Sequence, residues 1–467
     1  STQGVSSAAS DVYKRQVYVN VLLITLKISL WTTFFAVVAG YPVAYLISSL
    51  SARRKTSLLF WVLLSFWTSF LVRTFAWVVL LGRNGVVNQL LQALGILDAP
   101  ANLLYNFGSV LVGMVHALMP LAVLTMLSVM ENIDRNLPRA ASTLGARPGT
   151  AFWKIYFPLS MPGVAAAAIM VFVTAIGFFI TPALLGGRKE TMITQIIIDQ
   201  VQQTMNWEFA GAVSVLLLVV VLAVFALYDK ILGLSTMTGG SASRPRTSSK
   251  PGLMRRAGEA LLDLLASLSD RLFSLLPSRL RRSVSGTGQS RTLWWIVLAV
   301  LAFLSAPAFL MIPLSFDSGS GLTWPPKGFS LQWYEQMFTS PVWMQAITRS
   351  LIVGVGTGLL AMLIGTPAAF LLVRADMRGK SAMLAFVLSP IVVPRMIIAV
   401  GMFYFFARVG LVGSTIGLIL AHTVVAVPYV VITMMAVLRN YDTRLDLAAQ
   451  SLGAGPWSTL RFVTFPI

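Results

Sequence analysis

Residues 139–158 read RAASTLGARPGTAFWKIYFP, and residues 447–466 read LAAQSLGAGPWSTLRFVTFP. The same polar, helix-forming cassette thus occurs twice, 308 residues apart, in a chain that is 57% hydrophobic and only 11% charged. Ala-Ala followed by Leu favours helix. Gly145 and Gly453 permit a turn, and Pro148 and Pro456 stand where a second helix can start. Phe157-Pro158 and Phe465-Pro466 close each copy with the same Gly-to-Pro spacing of 13. One such segment reads as an ordinary re-entry loop. Two with the same spacing predict a helix–turn–helix whose small face lets another protein approach.

Working outward, the duplication extends well beyond the cassette. Over 120–158 against 428–466, 16 of 39 positions are identical without a gap. Upstream the offset is 325: Gly40-Tyr41-Pro42-Val43-Ala44 matches Gly365-Thr366-Pro367-Ala368-Ala369, and Arg83 and Gly85 match Arg408 and Gly410. Apolar runs of about 20 residues, enough to cross a bilayer core, fall at 18–50, 58–82, 109–130, 163–185, 210–230, 294–314, 347–373, 381–407 and 411–438. The fold class predicted is an all-α polytopic membrane protein with nine transmembrane helices. Superposing the halves gives a six-span unit. Half one lacks its first helix and half two its last two, so a parent of twelve spans is expected.

The charge pattern orients these spans. A net charge of +19 invites a nucleic-acid reading, but the Lys and Arg residues cluster in short segments between apolar runs, as positive-inside topology requires. Segments 51–57, 131–162, 229–293, 374–380 and 439–467 are basic and are placed on the cytoplasmic side; 83–108, 186–209 and 315–346 then lie outside. Both cassettes are cytoplasmic in this scheme. The domain reading is 1–16 as a non-native leader, 17–233 as the first half, 234–293 as a basic cytoplasmic linker, and 294–467 as the second half. Within the linker, LMRRAGEALLDLLASLSDRLFSLLPSRLRR places leucines at helical spacing. It fits either an amphipathic helix on the inner membrane surface or a simple tether.

Composition also excludes several chemistries. With no cysteine, disulfides, thiolate catalysis and Cys-ligated zinc are ruled out. Two histidines, His116 and His422, are too few for a histidine metal site. Arg374-Ala-Asp-Met-Arg-Gly-Lys380-Ser381 ends like a phosphate loop but carries Arg where the first Gly is needed, so it reads as positive-inside charge. Apart from Asp229 at the very end of span 210–230, no Asp or Glu lies within the nine spans, which argues against a proton-coupled secondary transporter. Two cations, Arg73 and Arg395, are counted within spans, where a buried charge is costly and points to function. With Phe178, Phe179, Phe403 and Tyr404 they form the candidate pathway set, the aromatic faces being able to attract a cation.

The cassette resembles the EAA loop of ABC-importer permeases: Glu-Ala-Ala, three residues, Gly, nine residues, then Ile-x-Leu-Pro. Ala140, Ala141, Gly145, Ile155 and Pro158 match, as do Ala448, Ala449, Gly453 and Pro466. The departures are Arg139 and Leu447 at the Glu position, Phe157 and Phe465 at the Leu position, and Val463 for Ile. Residues 66–95 look like the first permease, and 315–338 like the second, of spermidine/putrescine importers. The resemblance implies a duplicated type I permease fold in the bacterial inner membrane, with two permeases fused in one chain. It implies that the loops couple to two ATP-hydrolysing subunits, which bind ATP and magnesium, and that a solute-binding protein delivers cargo outside. No catalytic residue, metal or cofactor is then expected on this chain. The alternatives are import of ferric iron, a phosphonate or thiamine by the same class of permease, or, further off, secondary transport.

Overall fold

The computed structural model describes residues 2–232, 260, 262–271, 291–319, 324–375 and 377–466. Among these the secondary structure is helical apart from one isolated β-bridge, Asp317 to Phe329. Among the described residues, eight helices are long and apolar enough to span a membrane, or nine if one bent pair is a single span. The chain is an all-α, multi-pass membrane protein. It forms two compact units, Ser1–Glu335 and Gln336–Ile467.

In the first unit, helix Phe107–Met130 is the hub, apolar around its whole circumference and buried along most of its length. It starts at a reciprocal cap in which Asn106 Oδ1 accepts from Ser109 N (3.0 Å) and Ser109 Oγ accepts from Asn106 N (3.2 Å). Helices Thr2–Ser48 and Phe157–Ile176 pack against it. The Gly-Tyr-Pro motif explains how they come so close: a Cβ on Gly40 would lie 3.1 Å from Val123 and 3.3 Å from Met126. Small residues let membrane helices approach in this way. The backbone of residues 2–16 continues the first helix.

The second unit repeats the arrangement. Helix Pro341–Arg374 packs along Thr415–Asn440 around Ala369, Leu372, Val431, Met435 and Leu438. A Cβ on Gly365, the counterpart of Gly40, would press on Val430 at 2.8 Å. Both copies of the motif therefore do the same packing work. The apolar run 381–407 is not one helix: Lys380–Val392 and Arg395–Val409 meet at a 97° bend beside Pro394. Run 58–82 is likewise divided, into Ala52–Trp67 and Phe70–Leu81.

One boundary differs from the sequence-based expectation. Helix Arg291–Leu314, assigned by composition to the 294–467 half, packs within the first unit. Its Phe303 ring lies 5.3 Å from Trp77, Phe309 lies 5.9 Å from Trp61, and the Leu304 carbonyl oxygen is 3.0 Å from His116 Nε2. The packing boundary thus falls after Glu335 rather than before residue 294. Repeat alignment registers sequence order, whereas an apolar helix on a long linker packs on whichever apolar surface fits it.

Gly113 shows the tightness of the first unit. A Cβ there would meet Leu185 Cδ1 at 2.5 Å and Thr181 Cγ2 at 2.6 Å, both on buried side chains. Gly113→Val is expected to destabilise this unit by about 1–3 kcal/mol. Gly358→Val, whose added atoms meet open space, serves as the control. Thermal unfolding in detergent, followed by circular dichroism, checks the difference.

Candidate coupling loops and solute pathway

The two cassettes fold alike, bond for bond. Each begins with an aspartate closing a short turn: Asp134 Oδ1 accepts from Asn136 N (2.9 Å), and Asp442 Oδ1 accepts from Arg444 N (3.0 Å). One helix follows in each, Asn136–Thr143 and Arg444–Ser451. Each ends in a Schellman turn, the helix stop in which a left-handed residue lets two amides return to the last carbonyls. Gly145 N donates to Ser142 O (3.1 Å) and Ala146 N to Ala141 O (3.0 Å); Gly453 N donates to Gln450 O and Ala454 N to Ala449 O, both 3.0 Å. The glycines have φ of +89° and +88°. Pro148 and Pro456 then start helices Pro148–Ala151 and Pro456–Thr459, and one wide turn follows in each copy, Phe152–Tyr156 and Leu460–Thr464.

The residues matched to the coupling motif all lie in these loops. Ala140, Gly145 and Pro158 are exposed, with Ala141 and Ile155 half-buried; Ala448, Gly453 and Pro466 are exposed, with Ala449 half-buried. Motif matching missed the most exposed apolar side chains. Leu144 and Leu452, at equivalent positions, are each 89% exposed, and Leu137 and Leu445, seven residues earlier, are exposed as well. Leucines at this spacing share one helix face. All four are identical between the copies, so the internal alignment carried the signal.

Loop two is anchored by a buried carboxylate. Asp446 accepts from Arg374 Nη1 (2.6 Å), Tyr441 Oη (2.7 Å) and Thr464 Oγ1 (2.9 Å). The Arg374 guanidinium also sits over the Phe370 and Tyr441 rings. Burial alone pushes the Asp446 carboxyl upward, but the hydrogen bonds from Tyr441, Thr464 and Arg374 outweigh it and hold the group below its ordinary value. Loop one is held differently. Arg135 Nη2 donates to Ser48 Oγ (2.7 Å), and Tyr156 packs edge-on against Tyr45.

The pathway candidates divide between the units. In the first, Arg73 is 2% exposed, donates to Ala117 O (3.3 Å) and lies over the Phe70 ring. Its Nε and second Nη have no hydrogen-bond partner among the described residues. Phe178 is buried against Phe70 at 5.0 Å, and Phe179 precedes helix Ile180–Leu185. Arg73 and Phe178 are thus brought together on one ring. In the second unit, Arg395 and Phe403 line a cavity of about 600 Å³, together with Arg349 and His422. Tyr404 is exposed and is not among the lining residues. The count of two cations within spans needs correction: Lys27 and Arg349 also lie in membrane-length helices. Lys27 stands 4.9 Å over the Phe107 ring. Both fall within the apolar runs 18–50 and 347–373.

Comparison with known proteins bears on these features together. The profile of the family described as binding-protein-dependent transport system inner membrane component matches residues 32–233. The spermidine/putrescine transport system permease protein PotB of Haemophilus influenzae is 35% identical over 212 residues, 45% of this chain and 74% of its own length. PotB of Escherichia coli is 34% identical over 203 residues, 44% of this chain and 74% of its own. PotC of Haemophilus influenzae is 32% identical over 172 residues, 37% of this chain and 66% of its own. The chain belongs to the family of binding-protein-dependent transport system inner membrane components. The permease is accordingly a multi-pass protein of the bacterial inner membrane, and the matched stretch contains the whole of loop one.

Two expectations follow for the permease. A β-branched residue is strongly disfavoured at φ near +90°, so Gly145→Val or Gly453→Val is expected to cost about 1–2 kcal/mol locally and to misaim the short helix behind it. Hydrogen exchange of each loop, with membrane abundance measured in parallel, is expected to show loosening confined to the mutated loop and normal insertion. For Asp446 the sign is set by its lowered value. A depressed carboxyl stabilises the fold above the unfolded value of about 3.9 and loses that contribution as pH falls through the folded value. Loop two is expected to hold from pH 8 to 5 and loosen below about pH 4, with Asp446→Asn loosened throughout, as read by limited proteolysis across pH.

Proposed function

We propose that this permease forms the transmembrane pathway of an ATP-driven importer for a polyamine, spermidine or putrescine, and that the two loops are its coupling elements. Two ATP-hydrolysing subunits bind on the cytoplasmic side, one per loop, and a solute-binding protein delivers cargo on the other side. ATP and magnesium are held by those subunits, and this chain carries no ATPase site, catalytic residue or cofactor of its own. One observation carries the coupling reading: two loops with one hydrogen-bond register each present a leucine that is 89% exposed. Leu137 and Leu445 extend each exposed leucine into an apolar patch on one helix face, and such patches mark protein interaction sites. Ala140, Ala141, Ala448 and Ala449 keep the surrounding face small enough for a partner to come close. The polyamine reading is supported by the names of the PotB and PotC relatives.

A second reading has its own support. Arg349 and Arg395 line the cavity of the second unit, and two guanidinium groups favour an anionic solute such as a phosphonate over a polycation. Under the polyamine reading, transport draws on the aromatic residues Phe178, Phe179, Phe403 and Tyr404, with cation–π attraction of about 0.5–2 kcal/mol each.

Leu144→Asp combined with Leu452→Asp is expected to abolish co-purification of the ATPase subunits and reduce uptake more than tenfold, roughly the loss of one interface anchor per loop, at unchanged membrane abundance. Retained co-purification would exclude these loops as the docking surface. Uptake of radiolabelled spermidine, putrescine and methylphosphonate by cells expressing the permease with its neighbouring ATPase and binding-protein genes decides between the two solute classes. The purified permease alone is expected to hydrolyse no ATP.

A further inference from the structure

Residues 262–271, in the basic segment between the halves, form a helix that docks on loop one. Ala266 and Asp270, one turn apart, are its buried side chains. Asp270 accepts from Gly149 N (2.8 Å) through Oδ1 and from Thr150 Oγ1 (2.7 Å) through Oδ2. Lys154 and Asp263 form an ion pair at 2.7 Å on the outer side of the contact. That pair is exposed and contributes little; the buried, doubly bonded Asp270 is the stronger attachment.

The contact is specific to loop one. A Cβ on Gly149 would collide with the Ser269 side chain and come within 2.6 Å of Asp270 Oδ1, so the approach needs glycine. At the equivalent position loop two carries Trp457, which is 75% exposed. The internal anchors are also unequal. Loop two has the Asp446–Arg374 pair; the corresponding positions of loop one hold Pro138 and Ser49, neither acid nor base.

We infer that Asp270 is a positioning residue for the first coupling loop: the linker helix braces loop one from outside, as Asp446 braces loop two from within. The role in transport rests on the coupling reading of the loops; the brace itself does not. The two loops are then not interchangeable, because the aim of loop one depends on a segment that lies between the halves in sequence.

The test uses the full chain in lipid nanodiscs. Carbodiimide treatment is expected to join Lys154 to Asp263, giving a cross-linked peptide by mass spectrometry. Asp270→Ala is expected to speed amide exchange across 145–151 about tenfold, the loss of hydrogen bonds to a charged group, while 453–459 is unchanged. Asp270→Asn, which keeps one acceptor, falls between. Gly149→Trp, which copies loop two, is expected to abolish the cross-link and speed exchange as Asp270→Ala does. Absence of the cross-link in the native chain, or equal exchange in native and Asp270→Ala proteins, overturns the brace. With ATPase subunits added, Asp270→Ala is expected to lower solute transported per ATP hydrolysed. Faster exchange with that ratio unchanged keeps the brace and overturns the coupling reading.

Discussion

Hydrocarbon offers a backbone amide or carbonyl no hydrogen-bond partner, so each break in a membrane helix must be satisfied by the protein itself. This constraint shapes the first unit. Between Gly177 and Ile193 the chain leaves the helix Phe157–Ile176, makes the short helix Ile180–Leu185 and a loop, and enters helix Ile193–Gln202. The interrupted backbone is taken up by buried hydroxyls and one amide: Thr25 Oγ1 accepts from Ile193 N, Thr194 Oγ1 donates to Phe178 O, and Ser109 Oγ and Tyr105 N donate to Leu185 O. Thr74 and Thr181 join their hydroxyls at 3.0 Å. Buried hydroxyls therefore supply the partners that the backbone loses where helix Phe157–Ile176 stops, and one of them holds the Phe178 carbonyl.

The cassettes face the opposite situation. Their first helices are short and largely exposed, and water competes for free groups there, so their shape has to be enforced locally. Aspartate turn, helix, left-handed glycine and proline start follow one another within about 20 residues, each supplying the bond the next needs. That local completeness explains why two copies in different surroundings keep one geometry. It also leaves the loops stiff but lightly attached, held by a few polar contacts to the body: Arg135 to Ser48 in one, Asp446 to Arg374 in the other. Under the proposed coupling role, this combination of rigidity within and definite anchorage at the base suits a loop that transmits force between proteins.

Much of this was legible in the residues. The spans follow from length and hydropathy, since about 20 apolar residues in a row have few other fates. The cassette turn follows from Gly145 and Gly453, whose placement after Ala-Ala and before Pro leaves a helix stop as the consistent reading. The Gly40 and Gly365 motifs announced close packing by their small size and repetition. Family membership was carried by the same residues.

Contacts between distant residues were not legible, because sequence spacing records which face a residue occupies and not what lies opposite it. The place of helix Arg291–Leu314 depends on which apolar surface receives it. Leucine spacing left the linker open between a membrane-surface helix and a tether, and Asp270 meeting Gly149 across 121 residues needed the fold. The sequence by itself determined most of the apolar spans, the repeat and the two turns, all set by chemistry within a few residues. The tertiary structure alone decided which acid anchors which loop, since a carboxylate bonds whatever donors the packing brings within 3 Å.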